Sequence, residues 1–79
     1  MKIEVNLFAS LMKYLPETNS KNPYFIEVEQ GATIAKILDR LMVPPEIPKI
    51  IFVNGLLAKE KTVLKDGDRA GIFPLVAGG

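Results

Sequence analysis

The chain has 79 residues, 48% of them hydrophobic, and its ten basic and nine acidic residues leave a net charge of +1. One domain of this size lies near the lower limit for a core without staples, and the absence of cysteine rules out both disulfides and thiolate metal ligands. The absence of histidine removes the commonest general base and metal ligand, and the scattered charges form no basic stripe for nucleic acid or a membrane surface.

Residues Lys2 to Phe8 alternate, with Ile3, Val5 and Leu7 on one face and Lys2, Glu4 and Asn6 on the other, which predicts a strand with one buried face. The opening Met1-Lys2-Ile3-Glu4 lacks the apolar stretch of a signal peptide, and no segment is long enough to span a bilayer, so a cytoplasmic protein is expected. Ser10 is placed to cap a short helical turn in which Leu11, Met12 and Leu15 point inward and which Pro16 stops. The polar run from Pro16 to Pro23 reads as a loop. Tyr24 to Glu29 alternates again, with Tyr24, Ile26 and Val28 on one face, so the two strands are expected to form an antiparallel hairpin. Gln30-Gly31 breaks the second strand, and Thr33 is an N-cap for a helix whose apolar positions Ile34, Ile37, Leu38 and Leu41 follow the i, i+3, i+4, i+7 stripe. Lys36, Asp39 and Arg40 take the solvent side, and the prolines at 44, 45 and 48 end the helix near Met42. Lys49 to Val53 is β-branched and aromatic, Asn54-Gly55 is a hairpin turn, and Leu56 to Ala58 returns from it. After an irregular stretch to Leu64, Lys65-Asp66-Gly67-Asp68 makes a second tight turn, and Arg69 to Phe73 forms the last strand, which Pro74 ends.

The order is strand, strand, helix, strand, short strand, strand, with no repeat or linker. The predicted fold is therefore α+β: a mixed sheet of four to five strands with one main helix packed across one face. The first and last strands lie parallel because the helical crossover separates them. This is the β-grasp, ubiquitin-like arrangement, in a single domain over residues 1–79. It delivers the tail, about residues 74–79, straight off a central strand.

The tail reads Pro74-Leu75-Val76-Ala77-Gly78-Gly79. Two glycines have no Cβ atoms and pass through a channel too narrow for other residues, and they place an unhindered carboxylate at the tip. Conversion to an acyl-adenylate makes such a carboxylate electrophilic. Phe73 precedes the tail; if Ala70 and Ile72 face the core, Phe73 points to the uncovered face of the sheet and is a candidate for partner docking. The alternative is that Phe73 folds over the sheet edge as ordinary packing. Ile51 and Val53, or Ile50 and Phe52, extend such a patch, and the alternation leaves both pairs open.

These residues resemble a known family, that of the small sulfur-carrier subunit of molybdopterin synthase (MoaD) and, more distantly, the thiamin-pathway sulfur carrier ThiS. The resemblance rests on Val5-Asn6-Leu7-Phe8-Ala9-Ser10-Leu11, on Val53-Asn54-Gly55, on Leu64-Lys65-Asp66-Gly67-Asp68, and above all on the closing Ile72-Phe73-Pro74-Leu75-Val76-Ala77-Gly78-Gly79. Phe-Pro followed by Val-Ala-Gly-Gly favours the molybdopterin branch, although Leu75 stands where many relatives carry a second proline. The resemblance implies a carrier with no catalytic side chains of its own and no bound cofactor. An adenylating enzyme of the ubiquitin-activating type would use ATP to activate the carboxylate of Gly79, and a sulfur donor enzyme would convert it to a thiocarboxylate. The tail would then enter the large subunit of molybdopterin synthase in a hetero-oligomer. In this cycle Gly79 supplies the reacting carbon and Gly78 the clearance, while Val76 and Ala77 thread behind and Phe73, Pro74 and Leu75 meet the partner. Without cysteine, sulfur cannot travel as a side-chain persulfide.

Other groups have plainer readings. Arg69 and Lys65 flank the last strand and are either contacts for acidic groups on an activating enzyme or, more commonly, solvated charges. Asp66 and Asp68 are turn formers rather than a metal pair, and no metal site is expected. Glu27 and Glu29 alternate with apolar residues as an exposed strand face should, not as a catalytic carboxylate pair. A protein modifier joined through Gly79 to lysines of other proteins, and a binding module with an inert tail, are the competing functions.

Overall fold

Alternation of β-branched and polar residues makes Lys2–Leu7 the first strand, β1, with Ile3, Val5 and Leu7 fully buried. The structure is a computed structural model and describes residues 1–16 and 21–75. β1 pairs antiparallel with β2, Tyr24–Glu27, bringing Ile3 opposite Ile26 and Val5 opposite Tyr24. Past the end of β2 the inward parity persists: Val28 is buried and its N–H donates to the carbonyl of Met1 at 2.9 Å.

Helix α1, Ile34–Arg40, begins where Thr33 Oγ1 accepts the N–H of Lys36 at 3.3 Å. Its buried residues Ile34, Ile37 and Leu38 follow the predicted stripe, and Leu41 continues it. β3, Lys49–Val53, turns through Asn54 and Gly55 into β4, Leu56–Ala58. Both turn residues have positive φ, +52° and +81°, the type I′ geometry that suits the right-handed twist of a hairpin. The last strand is β5, Arg69–Pro74. The five-stranded sheet has the order β2-β1-β5-β3-β4, with β1 and β5 parallel and every other pairing antiparallel. This is the expected β-grasp, with α1 and the inward residues of β1, β3 and β5 joined in one buried cluster.

Side-chain bonds tie the turns to one another. Asn54 Nδ2 donates to Asp68 Oδ1 at 2.9 Å while its Oδ1 accepts the Arg69 N–H at 3.0 Å. Asp68 Oδ2 accepts the Lys65 N–H at 2.8 Å and Asp66 Oδ1 accepts the Lys2 N–H at 2.7 Å. Both aspartates therefore serve as turn formers. No helix among the described residues is long and apolar enough to cross a membrane.

Two local expectations are corrected. The segment after β1 is a 3-10 helix, Ala9–Tyr14, with Ser10 inside it and no side-chain cap at its start. Three residues per turn put Leu11 and Tyr14 on one face, so Leu11 is buried, Tyr14 packs against the core, and Met12 faces out with 40% of its surface exposed. Helix α1 stops at Arg40 rather than near Met42 because the chain closes a Schellman motif there. Val43 N–H bonds the Leu38 carbonyl at 2.9 Å and Met42 N–H bonds that of Asp39 at 3.0 Å, which requires the left-handed φ of +62° at Met42.

Met42 is 80% exposed, so its side chain gains little there while its Cβ bears the left-handed penalty. Met42→Gly is expected to raise stability by about 0.5–1 kcal/mol, the strain relief exceeding the extra backbone entropy. A higher urea midpoint at an unchanged slope checks it.

Candidate functional site

β5 lies at the centre of the sheet and alternates strictly. Ala70 and Ile72 are fully buried, which sends Arg69, Gly71 and Phe73 to the face opposite α1. The register gathers their neighbours: Glu4 beside Arg69 and Asn6 beside Gly71 on β1, Phe52 beside Gly71 and Ile50 beside Phe73 on β3. Leu57 on β4 sits opposite Phe52 and carries the same face to the sheet edge. The face is thus polar at the Glu4–Arg69 end and apolar where the tail leaves.

Phe73 anchors the apolar end. Its ring stacks on Phe8 with centroids 4.2 Å apart and planes 7° from parallel, and it meets Phe52 edge-on at 5.9 Å. The ring therefore stands on the open face between two other aromatics, not over the sheet edge, and 40% of its surface remains exposed. Of the two candidate pairs, Ile50 and Phe52 extend the patch; Ile51 is buried and Val53 packs against the core. A groove of about 430 Å³ runs over Gly71 from Glu4 and Arg69 to the aromatic cluster.

Pro74 pairs with Lys49 at the end of the β5–β3 ladder, where its missing N–H would end the bonding. Leu75 resumes it, donating its N–H to the Pro48 carbonyl at 3.0 Å while its side chain stays exposed. Phe73, Pro74 and Leu75 are thus brought together at one corner of the open face. Val76, Ala77, Gly78 and Gly79 lie outside the described residues.

Arg69 and Lys65 are exposed and have no carboxylate within ion-pair distance among the described residues. Glu27 and Glu29, both exposed, make ion pairs at 3.9 Å with the part-buried N-terminal amine and with Lys36 respectively, and the pair to Lys36, exposed on both sides, contributes little to stability. The described residues bring aromatic and aliphatic side chains together in one patch with a polar rim, beside the point where Leu75 meets Pro48. Sequence reasoning missed Phe8 and Gly71 as parts of it. The parity of β1, which sets Phe8 on the side of Lys2, Glu4 and Asn6, was the available signal for the first.

Residues 5–79 match the ThiS family. Small archaeal modifier protein 1 of Haloferax volcanii has a similar structure, with a TM-score of 0.77 at 22% identity over 100% of both chains. A protein described as molybdopterin converting factor subunit 1 of Pyrococcus furiosus gives 0.74 at 24% identity, covering 96% of this chain and 99% of that one. In the complex of subunits 1 and 2 of the molybdopterin-converting factor of Helicobacter pylori, the similar chain gives 0.62 at 25% identity over 100% of both. No curated protein matches the chain in sequence.

Proposed function

The chain belongs to the ThiS family, and from that premise we propose that it is a cytoplasmic sulfur carrier for molybdopterin synthesis. The observation that carries this reading is that the family match runs through the terminal Gly78-Gly79, on a tail that leaves the central strand beside an exposed aromatic patch. In the proposed cycle the carboxylate oxygen of Gly79 attacks the α-phosphorus of ATP on an adenylating partner and pyrophosphate leaves. Sulfide-level sulfur from a donor enzyme then displaces AMP, leaving a thiocarboxylate. Transfer of that sulfur within the large subunit of a molybdopterin synthase, with water supplying the oxygen, restores the carboxylate. The Helicobacter pylori complex of two subunits supports a hetero-oligomeric working unit, and Phe-Pro-Leu-Val-Ala-Gly-Gly supports the molybdopterin branch over the thiamin branch.

Whole-protein mass spectrometry tests the proposal. Incubation with the adenylating enzyme, ATP and a sulfur source should produce a species heavier by the difference between sulfur and oxygen. Its absence with every such enzyme of the source organism would exclude the carrier role.

The likeness to an archaeal modifier protein favours a second reading, conjugation through Gly79 to lysines of other proteins. Gly-Gly remnants on lysines of many cellular proteins would support it, and their absence under all growth conditions would count against it.

Docking through the open face gives a separate expectation. Phe73→Ala removes the ring that stacks on Phe8 and meets Phe52 edge-on, and a central aromatic anchor of this kind contributes about 2 kcal/mol or more to binding. Affinity for the adenylating enzyme, measured by calorimetry, should fall roughly 30-fold or more, with the circular dichroism spectrum retained.

A further inference from the structure

We infer that the groove over Gly71 is a socket for one apolar side chain of the adenylating partner, on a segment that also presents a carboxylate to Arg69. The inference rests on the carrier reading for the partner's identity and adds to it what that partner must offer.

The socket depends on the missing side chain at position 71. An added Cβ would stand 3.6 Å from Phe8 Cε2 and 3.7 Å from Phe73 Cε1, ordinary contact distances, so the backbone tolerates a methyl group there. A longer side chain would rise beside the stacked rings of Phe8 and Phe73 and occupy part of the roughly 430 Å³ space. The walls all stand on one face of a sheet, so the groove is open above. Small-molecule sites enclose most of their ligand, whereas a side chain projecting from a protein segment fits an open slot. Aromatic walls around a small floor are the setting in which a single apolar anchor contributes most to binding.

The rim selects the charge of the incoming segment. Around this end the acidic groups already accept hydrogen bonds: Glu4 Oε2 from Asn6 Nδ2 at 3.0 Å, and both oxygens of Asp68, from Asn54 Nδ2 and the Lys65 N–H. Arg69 stands opposite Glu4 in register, yet no carboxylate lies within 4.0 Å of it among the described residues. A guanidinium with no acceptor among the described residues and an aromatic slot about two residues along the same strand describe an anionic, apolar-anchored partner segment rather than a cationic one.

The test uses the full chain with the adenylating enzyme of its organism, reading affinity by calorimetry and thiocarboxylate formation by mass spectrometry. Gly71→Leu and Arg69→Glu should each weaken binding at least ten-fold. Gly71→Ala should cost no more than about three-fold, because its methyl group makes only contact-distance approaches. Wild-type affinity in both Gly71→Leu and Arg69→Glu, with normal thiocarboxylate on the unmodified chain, would overturn the socket and leave the carrier reading standing. Tighter binding by Arg69→Glu would overturn it too, since the partner would then offer a cation. If Gly71→Leu fails to fold, Arg69→Glu decides, because its side chain is exposed. A wild-type chain that the enzyme neither binds nor activates defeats both readings.

Discussion

Removal of Gly79 alone is expected to lower thiocarboxylate formation more than about a hundred-fold while leaving the fold untouched. The shortened chain still ends in a glycine, Gly78, so its carboxylate has the same intrinsic reactivity. What changes is position: one extended residue spans about 3.5 Å, and misplacement of a reacting group by even ~1 Å costs on the order of a hundred-fold. The aromatic cluster of Phe8, Phe52 and Phe73 proposed to dock the partner remains, so affinity for the adenylating enzyme should stay within a few-fold. That separation of binding from chemistry is the informative part. Normal thiocarboxylate yield, measured by whole-protein mass spectrometry, would place the reacting carbon elsewhere and end the carrier proposal.

The second large effect concerns stability. Ile37 is fully buried on the inner face of α1, within the cluster that also holds Ile3, Val5 and Ile72. Ile37→Ala leaves a cavity where the helix meets the sheet, at a cost of roughly 2–5 kcal/mol. A chain of 79 residues has a total stability of only about 4–12 kcal/mol, on the scale of ~0.05–0.15 kcal/mol per residue. The variant should therefore lose more than about 10 °C in Tm, and in the unfavourable case it unfolds. Exposed Lys36 on the same helix is the control, since Lys36→Ala should change stability by no more than about 0.5 kcal/mol. A urea midpoint for Ile37→Ala equal to that of the wild type would mean that the helix contributes little to the core.

The fold was legible in the sequence wherever one local rule acted alone. The stripe Ile34, Ile37, Leu38, Leu41 needs only the period of a helix, Thr33 needs only an open N–H to cap, and Asn54-Gly55 needs only residues that accept positive φ. The misread segments are those where two rules competed. Ser10 is a good cap by composition, yet the chain turns from β1 directly through Ala9 at φ +52° into a 3-10 helix, and that tighter winding swings Met12 outward. Met42 hides the end of α1 because a left-handed closing position is usually marked by glycine.

The candidate site was half legible for a different reason. Parity within β5 assigns Phe73 to the open face, but parity cannot say which residues of neighbouring strands lie beside it. Lateral register decides between Ile50 with Phe52 and Ile51 with Val53, and register is a property of the sheet. Gly71 is invisible for the same reason: a glycine in a strand becomes the floor of a groove only once Phe8 and Phe52 are known to flank it.

The bond from Leu75 N–H to the Pro48 carbonyl turns the corner of the sheet into a fixed launching point. On the carrier proposal, with Gly79 as the reacting residue and the main chain bonded at Leu75, the reacting carbon lies at most about 13–14 Å from that anchor. The proposed adenylating partner would then hold its reacting atoms within that depth of the surface against which the domain rests, so the bond at Leu75 would act as a ruler.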